Sequence, residues 1–150
     1  MKAAEDEKKR FMESFEEEFN DKVVSFELAE FRAPSAVFSL LKLKPQADSN
    51  SVWGLLVFCE SENYFYSFPQ ENFSQFYVRR SSGKEEPQSQ CISLSELKCR
   101  YTLYPKKFFD FLFPKKKNIL RAYFFDEDKI SHSFELILNK KAADFIDLLS

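Results

Sequence analysis

Apolar side chains in this sequence come in strand-length runs, each bounded by proline, charge or a short polar turn, and this punctuation most limits what the chain can fold into. Residues 52–59 (Val-Trp-Gly-Leu-Leu-Val-Phe-Cys) form one such run. Glu60-Ser61-Glu62 makes a turn, and residues 63–68 return before Pro69, which predicts a hairpin. Gly54 inside the first arm predicts a bulge or a close backbone approach. Residues 119–125 and 131–138 bracket Asp126-Glu127-Asp128-Lys129 as a second hairpin, with His132, Phe134, Leu136 and Leu138 on one face. Leu97, Cys99, Tyr101 and Leu103 share a strand face opposite Lys98, Arg100 and Thr102. Val24, Phe26 and Leu28 alternate with Ser25 and Glu27, and after Pro34 a second strand is expected over 36–44, ended by Pro45. Residues 79–90 read as a surface loop, because strands continue on both sides.

Helical periodicity is confined to the two ends. Phe11, Phe15 and Phe19 recur every four residues with Met12 beside them, which makes residues 1–21 an amphipathic helix. That stripe either packs on the domain or is presented to a partner's groove. Residues 139–150 close the chain as a second helix, capped by Asn139 and burying Ala142, Phe145, Ile146 and Leu149. Antiparallel strands fill 22–138. Eight or nine short strands with a terminal helix predict a mainly β, β-rich α+β fold, a partly open barrel or sandwich, in one domain over 1–150.

The net charge of −2 is unevenly placed. Residues 1–20 hold four basic and seven acidic side chains, whereas 98–121 hold eight Lys or Arg against the single Asp110. Lys106, Lys107, Lys115, Lys116, Lys117 and Arg121 are therefore the candidate binding residues, with Phe11, Phe15 and Phe19 a second candidate contact. If residues 108–113 pair with 119–125, the three consecutive lysines sit at a hairpin tip. Such a cluster suits an acidic protein face or anionic headgroups, each basic residue contributing about 1 kcal/mol near a charged surface. It also suits a bland role, lysines keeping an aromatic hairpin in solution. The slightly acidic whole argues against nucleic acid. The charged N-terminus does not read as a signal peptide and no apolar run spans a bilayer, so the expectation is cytoplasmic, or peripheral at a membrane.

Two isolated glycines leave no P-loop, dinucleotide fingerprint or nucleophile elbow. A single histidine, His132, rules out paired-His metal sites and reads as a structural residue on an apolar strand face. Asp126-Glu127-Asp128 lacks the spacing and glycine of a calcium loop and reads as a solvated turn. Cys59, Cys91 and Cys99 include no CxxC pair and fit a reducing compartment. No catalytic residue, metal, cofactor or small-molecule substrate is expected.

Three segments over residues 52–150 carry a resemblance. Trp53-Gly54-Leu55-Leu56-Val57-Phe58 with Tyr64-Phe65-Tyr66 looks like an opening hairpin. Ile92-Ser93-Leu94-Ser95-Glu96-Leu97 looks like the entry to a following strand. Phe134-Glu135-Leu136 leads into the helix of Ala142, Phe145 and Leu149. Together they resemble the pleckstrin-homology-like superfold, especially its GRAM-type relatives. The resemblance implies a non-catalytic scaffold whose ligands range from phospholipids to peptides and protein surfaces. Phe145 stands where many of those domains carry Trp. Lys42 and Lys44 precede the first loop with no Lys-x-Arg in the next strand, so the family's phosphoinositide motif is missing. A protein partner is accordingly expected ahead of an anionic membrane. The rival expectation is a small acidic chaperone or adaptor of the secretion type, holding a client protein as a dimer; the sequence leaves the oligomeric state open.

Overall fold

A computed structural model describes residues 2–46, 49–67, 90–104 and 118–149. The first helix, α1 (Lys2–Phe19), ends at Asn20, whose φ of 52° is the left-handed geometry that asparagine tolerates well. Strand β1 (Val23–Arg32) follows, and Asp21 ties their junction down. Its two carboxylate oxygens accept from the backbone N–H groups of Ser61 and Glu62, each at 3.0 Å.

The strand expected over 36–44 is instead a helix, α2 (Ser35–Leu41). Apolar residues at Val37, Phe38 and Leu41 fit a 3.6-residue period as well as they fit alternation, and in seven residues the flanks decide. Pro34 supplies the extended N-cap backbone. Lys42 closes the helix at φ 59°, its N–H and that of Leu43 returning to the carbonyls of Ser39 and Phe38.

Strands β2 (Ser51–Cys59) and β3 (Asn63–Ser67) form the first expected hairpin. Strand β4 (Gln90–Ser93) runs into the single turn α3 (Leu94–Leu97), capped by the Ser93 hydroxyl accepting from the Glu96 N–H at 3.2 Å. Most of the loop expected over 79–90 lies outside the described residues, Gln90 being the first residue of β4. Strand β5 (Arg100–Tyr104) begins three residues later than the sequence suggests. Its alternation holds: Cys99, Tyr101 and Leu103 pack on the core while Arg100 and Thr102 are exposed. Strands β6 (Ile119–Phe125) and β7 (Ser131–Leu138) form the second hairpin with the bounds read from the sequence. Helix α4 (Ala143–Leu149) starts four residues beyond Asn139, so Asn139 does not cap it. The adjacent Lys140 is held at the surface instead, its Nζ 2.9 Å from Glu27 Oε1.

Seven antiparallel strands form one sheet in the order β4-β3-β2-β1-β7-β6-β5. Seven is the count among the described residues, where 36–44 is helical and 119–125 pairs with β5 and β7 rather than with 108–113. Both edges of β6 are taken, by β5 and by β7; residues 108–113 lie outside the described residues. The two edge strands, β4 and β5, are sequence neighbours, with Ser93 and Arg100 seven positions apart. In a flat sheet six spacings would separate them by about 29 Å. Seven extended residues reach only about 25 Å, and the α3 turn shortens that link. The sheet must therefore curl back on itself, its edges close but not hydrogen-bonded to one another.

The curl makes an inner core and an outer one. Inside lie Phe31, Leu56, Phe65, Leu120, Phe134 and Leu136, with Phe31 stacked on Phe134 at 4.6 Å between ring centroids. Helix α4 and the residue before it add Phe145, Leu149 and Ala142 to the inner core; the helix sets Phe145 parallel to Phe58 at 5.9 Å and packs against β5. Outside, α1 covers β1–β3. Phe11 and Phe15 are fully buried against Leu55, Val57, Tyr64 and Tyr66, and Phe19 stacks on Phe15 at 4.3 Å. Strand β2 has both faces covered, which is why residues 52–59 read as unbroken apolar sequence. No helix among the described residues is long and apolar enough to cross a membrane.

Candidate interaction surface

Where the sheet's two edges come near each other, a cleft of roughly 720 Å³ opens between four pieces of chain. One wall is Cys91, Ile92 and Ser93 of β4 with Glu96 and Leu97 of α3. The other is Phe124 and Phe125 at the end of β6 and the first three residues of the following turn, and Leu40 and Leu41 of α2 complete it. Leu41, Ile92 and Leu97 pack on the inner core and give the cleft an apolar floor. Phe125 is 69% exposed and Leu40 43%. Ile130, in the same turn, is exposed as well, so three of the five large exposed apolar side chains among the described residues gather at this end. Four acids line the cleft, Glu96 on one side and Asp126, Glu127 and Asp128 on the other, with no Lys, Arg or His lining it among the described residues.

The β6–β7 turn that carries three of those acids is held by its first residue. Asp126 Oδ1 accepts from the N–H groups of Asp128 (2.8 Å) and Ile130 (3.0 Å), while Oδ2 lies 2.7 Å from His132 Nε2. His132 in turn stacks on Phe124 at 5.4 Å, half-buried on the strand face shared with Phe134 and Leu136. The hydrogen bond to His132, seconded by the Ile130 N–H, holds the Asp126 carboxyl below its ordinary range. Lys129 turns the chain back at φ 65°. Asp126 is thus occupied within the turn, whereas Glu127 and Asp128 are exposed and can face a ligand.

The residues singled out from charge and periodicity lie elsewhere. Lys106, Lys107, Lys115, Lys116 and Lys117 are outside the described residues. Arg121 is on the outer face of β6, half-buried, 3.8 Å from Glu135 Oε2, and borders a second cleft of roughly 690 Å³ with Glu30, Arg32 and Glu135. The reading of Phe11, Phe15 and Phe19 as a contact for a partner is corrected: two of the rings are fully buried, and the stripe packs on the domain. The three cysteines form no disulfide. Burial pushes the Cys59 thiol up to about 12, with Asp21 and Glu16 adding to it, and burial pushes Cys99 up to about 11. Neither is a ready nucleophile near neutral pH.

Sequence reasoning missed the cleft for identifiable reasons. Reading 36–44 as a strand put Leu40 on the wrong element, and its exposure follows from the helix. Phe125 carried a usable signal, since Phe124 and Phe125 are adjacent in a strand and cannot both point inward. Compared with known protein families, curated proteins and solved structures, the chain has no significant match. Fold and surface together define a mainly β, α+β protein with a seven-stranded antiparallel sheet, four helices and an apolar, acid-rimmed cleft among its described residues.

Proposed function

We propose that this chain is a non-catalytic cytoplasmic interaction module of pleckstrin-homology-like type, and that it binds a protein partner. The strand order carries the reading: four strands, β1 to β4, followed outward from β1 on one side, three, β7 to β5, on the other, and a C-terminal helix packed into the curl. The central strand of this order, β1, lies outside residues 52–150, so the segment read from the sequence as an opening hairpin is β2–β3, and the likeness we draw rests on the whole strand order rather than on that segment. Support for a protein ligand comes from Leu40, Phe125 and Ile130, exposed together at one end of the roll, where a partner could cover them.

A quantitative affinity capture tests the reading, with wild type and Phe125→Asp as parallel baits. The expected result is a protein enriched at least tenfold on wild type and lost on the variant. Identical recoveries on both baits would overturn the assignment of this surface. The second reading, an anionic membrane, rests on the basic stretch of residues 98–121. It is checked by co-sedimentation with anionic and neutral liposomes. Binding to anionic vesicles alone, weakening with salt and abolished by charge reversal at Lys115, Lys116 and Lys117, would replace the protein partner with a lipid surface.

A further inference from the structure

Building on the interaction-module reading, we infer that the cleft between α2, β4–α3 and the β6–β7 turn takes a basic peptide segment of a partner protein, seating an apolar side chain on the floor and pairing flanking Lys or Arg with the acids on either wall. The chemistry of the walls selects this occupant. An anionic ligand, whether phosphate, lipid headgroup or acidic peptide, would meet Glu96, Glu127 and Asp128, with no cation among the described lining residues to receive it. Lys129 belongs to the same turn but is outside the lining, and Lys98, which ends α3, is also outside it. A wholly apolar ligand would use the floor but gain nothing from the carboxylates around it. An amphipathic basic segment satisfies both parts of the surface at once.

The geometry divides the labour between floor and rim. The volume, roughly 720 Å³, falls within the range of about 300–1,000 Å³ usual for ligand clefts. Phe125 and Leu40, exposed on the rim, can close over an inserted apolar side chain as hot-spot residues do, and Leu41, Ile92 and Leu97 give it a preformed floor. The acids act differently, because exposed ion pairs are individually weak. Glu96, Glu127 and Asp128 steer a cationic segment in and reject an acidic one, so they set specificity and salt dependence more than affinity. Asp126 fixes the backbone of the turn that carries Glu127 and Asp128 through its contacts to the Asp128 and Ile130 N–H groups and to His132.

Two fluorescein-labelled probes of ten residues test this by polarisation. In one, Leu and Phe alternate with Lys and Arg; in the other, the same apolar residues alternate with Glu. The basic probe is expected to bind at least tenfold more tightly than the acidic one and to weaken several-fold between 50 and 300 mM salt. Phe125→Asp should weaken it at least tenfold, and the pair Glu127→Lys with Asp128→Lys at least fivefold. Charge reversal at Lys115, Lys116 and Lys117 should leave it unchanged. All three cleft substitutions are at exposed positions, and an unchanged thermal midpoint verifies that each variant is folded. Equal binding of the two probes, binding indifferent to the cleft variants, or no binding of the basic probe at 1 mM would each overturn the inference. If the probe fails but capture remains dependent on Phe125, only the basic-peptide assignment falls. If capture is indifferent to Phe125, the underlying reading falls with it.

Discussion

A Cβ on Gly54 would meet Phe65 Cζ and the Tyr66 carbonyl oxygen, each at 2.6 Å. The ring can tilt, but the carbonyl belongs to the neighbouring strand, where Leu55 pairs with Tyr66 and Gly54 with Ser67, and it cannot move without opening that ladder. Gly54→Ala should therefore destabilise the protein by about 2–3 kcal/mol, at the upper end for overpacking, as a lowered urea midpoint with an unchanged slope. A loss below ~0.5 kcal/mol would mean the β2–β3 ladder yields more easily than its burial suggests. Asp126 gives the residue scale its pH dependence. Its folded carboxyl titrates below the ordinary range, chiefly through His132, so its contribution is fully present above that range and is lost as pH falls through the depressed folded value. Asp126→Asn should lower the thermal midpoint at pH 7, and the gap to wild type should narrow once pH drops below about 4. A gap that stays constant down to pH 2.5 would show that the charge of Asp126 does not stabilise the turn.

At the scale of elements, what could be read from the sequence depended on whether a segment's neighbours were local. Both hairpins were legible because their turns, Glu60-Ser61-Glu62 and Asp126-Glu127-Asp128-Lys129, sit between apolar runs that pair with each other. The face of β5 was legible for the same reason, since alternation alone decides it. Helix α2 was not, because seven residues satisfy two periods and Lys42 had to adopt φ 59° to reveal the answer. The destination of the Phe11-Phe15-Phe19 stripe was also hidden. A helical stripe specifies an apolar partner without saying which one, and the partner is the outer face of β1–β3. The cleft was hidden more deeply still, being assembled from α2, β4, α3 and the β6–β7 turn, four segments that meet only through the curl. Packing of α1 makes a direct prediction. Phe15 is fully buried, in edge contact with Tyr64 at 5.3 Å, so Phe15→Ala should cost about 3–5 kcal/mol. Phe19, half-buried at the end of the helix, should cost clearly less on truncation. Chemical denaturation of the two variants side by side checks the order, and a larger loss at Phe19 would contradict the packing.

On the scale of the whole molecule, the two cores are coupled through shared strands. Along β2, Leu55 and Val57 belong to the outer core while Leu56 and Phe58 belong to the inner one, and on β3 Tyr64 and Tyr66 alternate with Phe65 in the same way. Releasing α1 would expose one face of these central strands and leave the inner core on the other, which defines the one partly unfolded state this arrangement offers. Its cost decides whether it is seen. Phe11 and Phe15 alone would each forfeit about 1.5–3 kcal/mol on exposure, and the Asp21 contacts that anchor the end of α1 to the β2–β3 turn would be strained at the same time. Those terms together approach the 5–15 kcal/mol that stabilises a whole domain, which leaves little room for an intermediate. The chain provides its own probe, since Trp53, its single tryptophan, packs against the outer core to which α1 contributes Phe11 and Phe15. Trp53 fluorescence should therefore report the outer core while far-UV circular dichroism reports the sheet, and in urea the two transitions should coincide. Phe15→Ala should shift both midpoints by the same amount. A fluorescence transition that precedes the dichroism, widening in that variant, would instead establish α1 as a detachable element over an otherwise folded sheet.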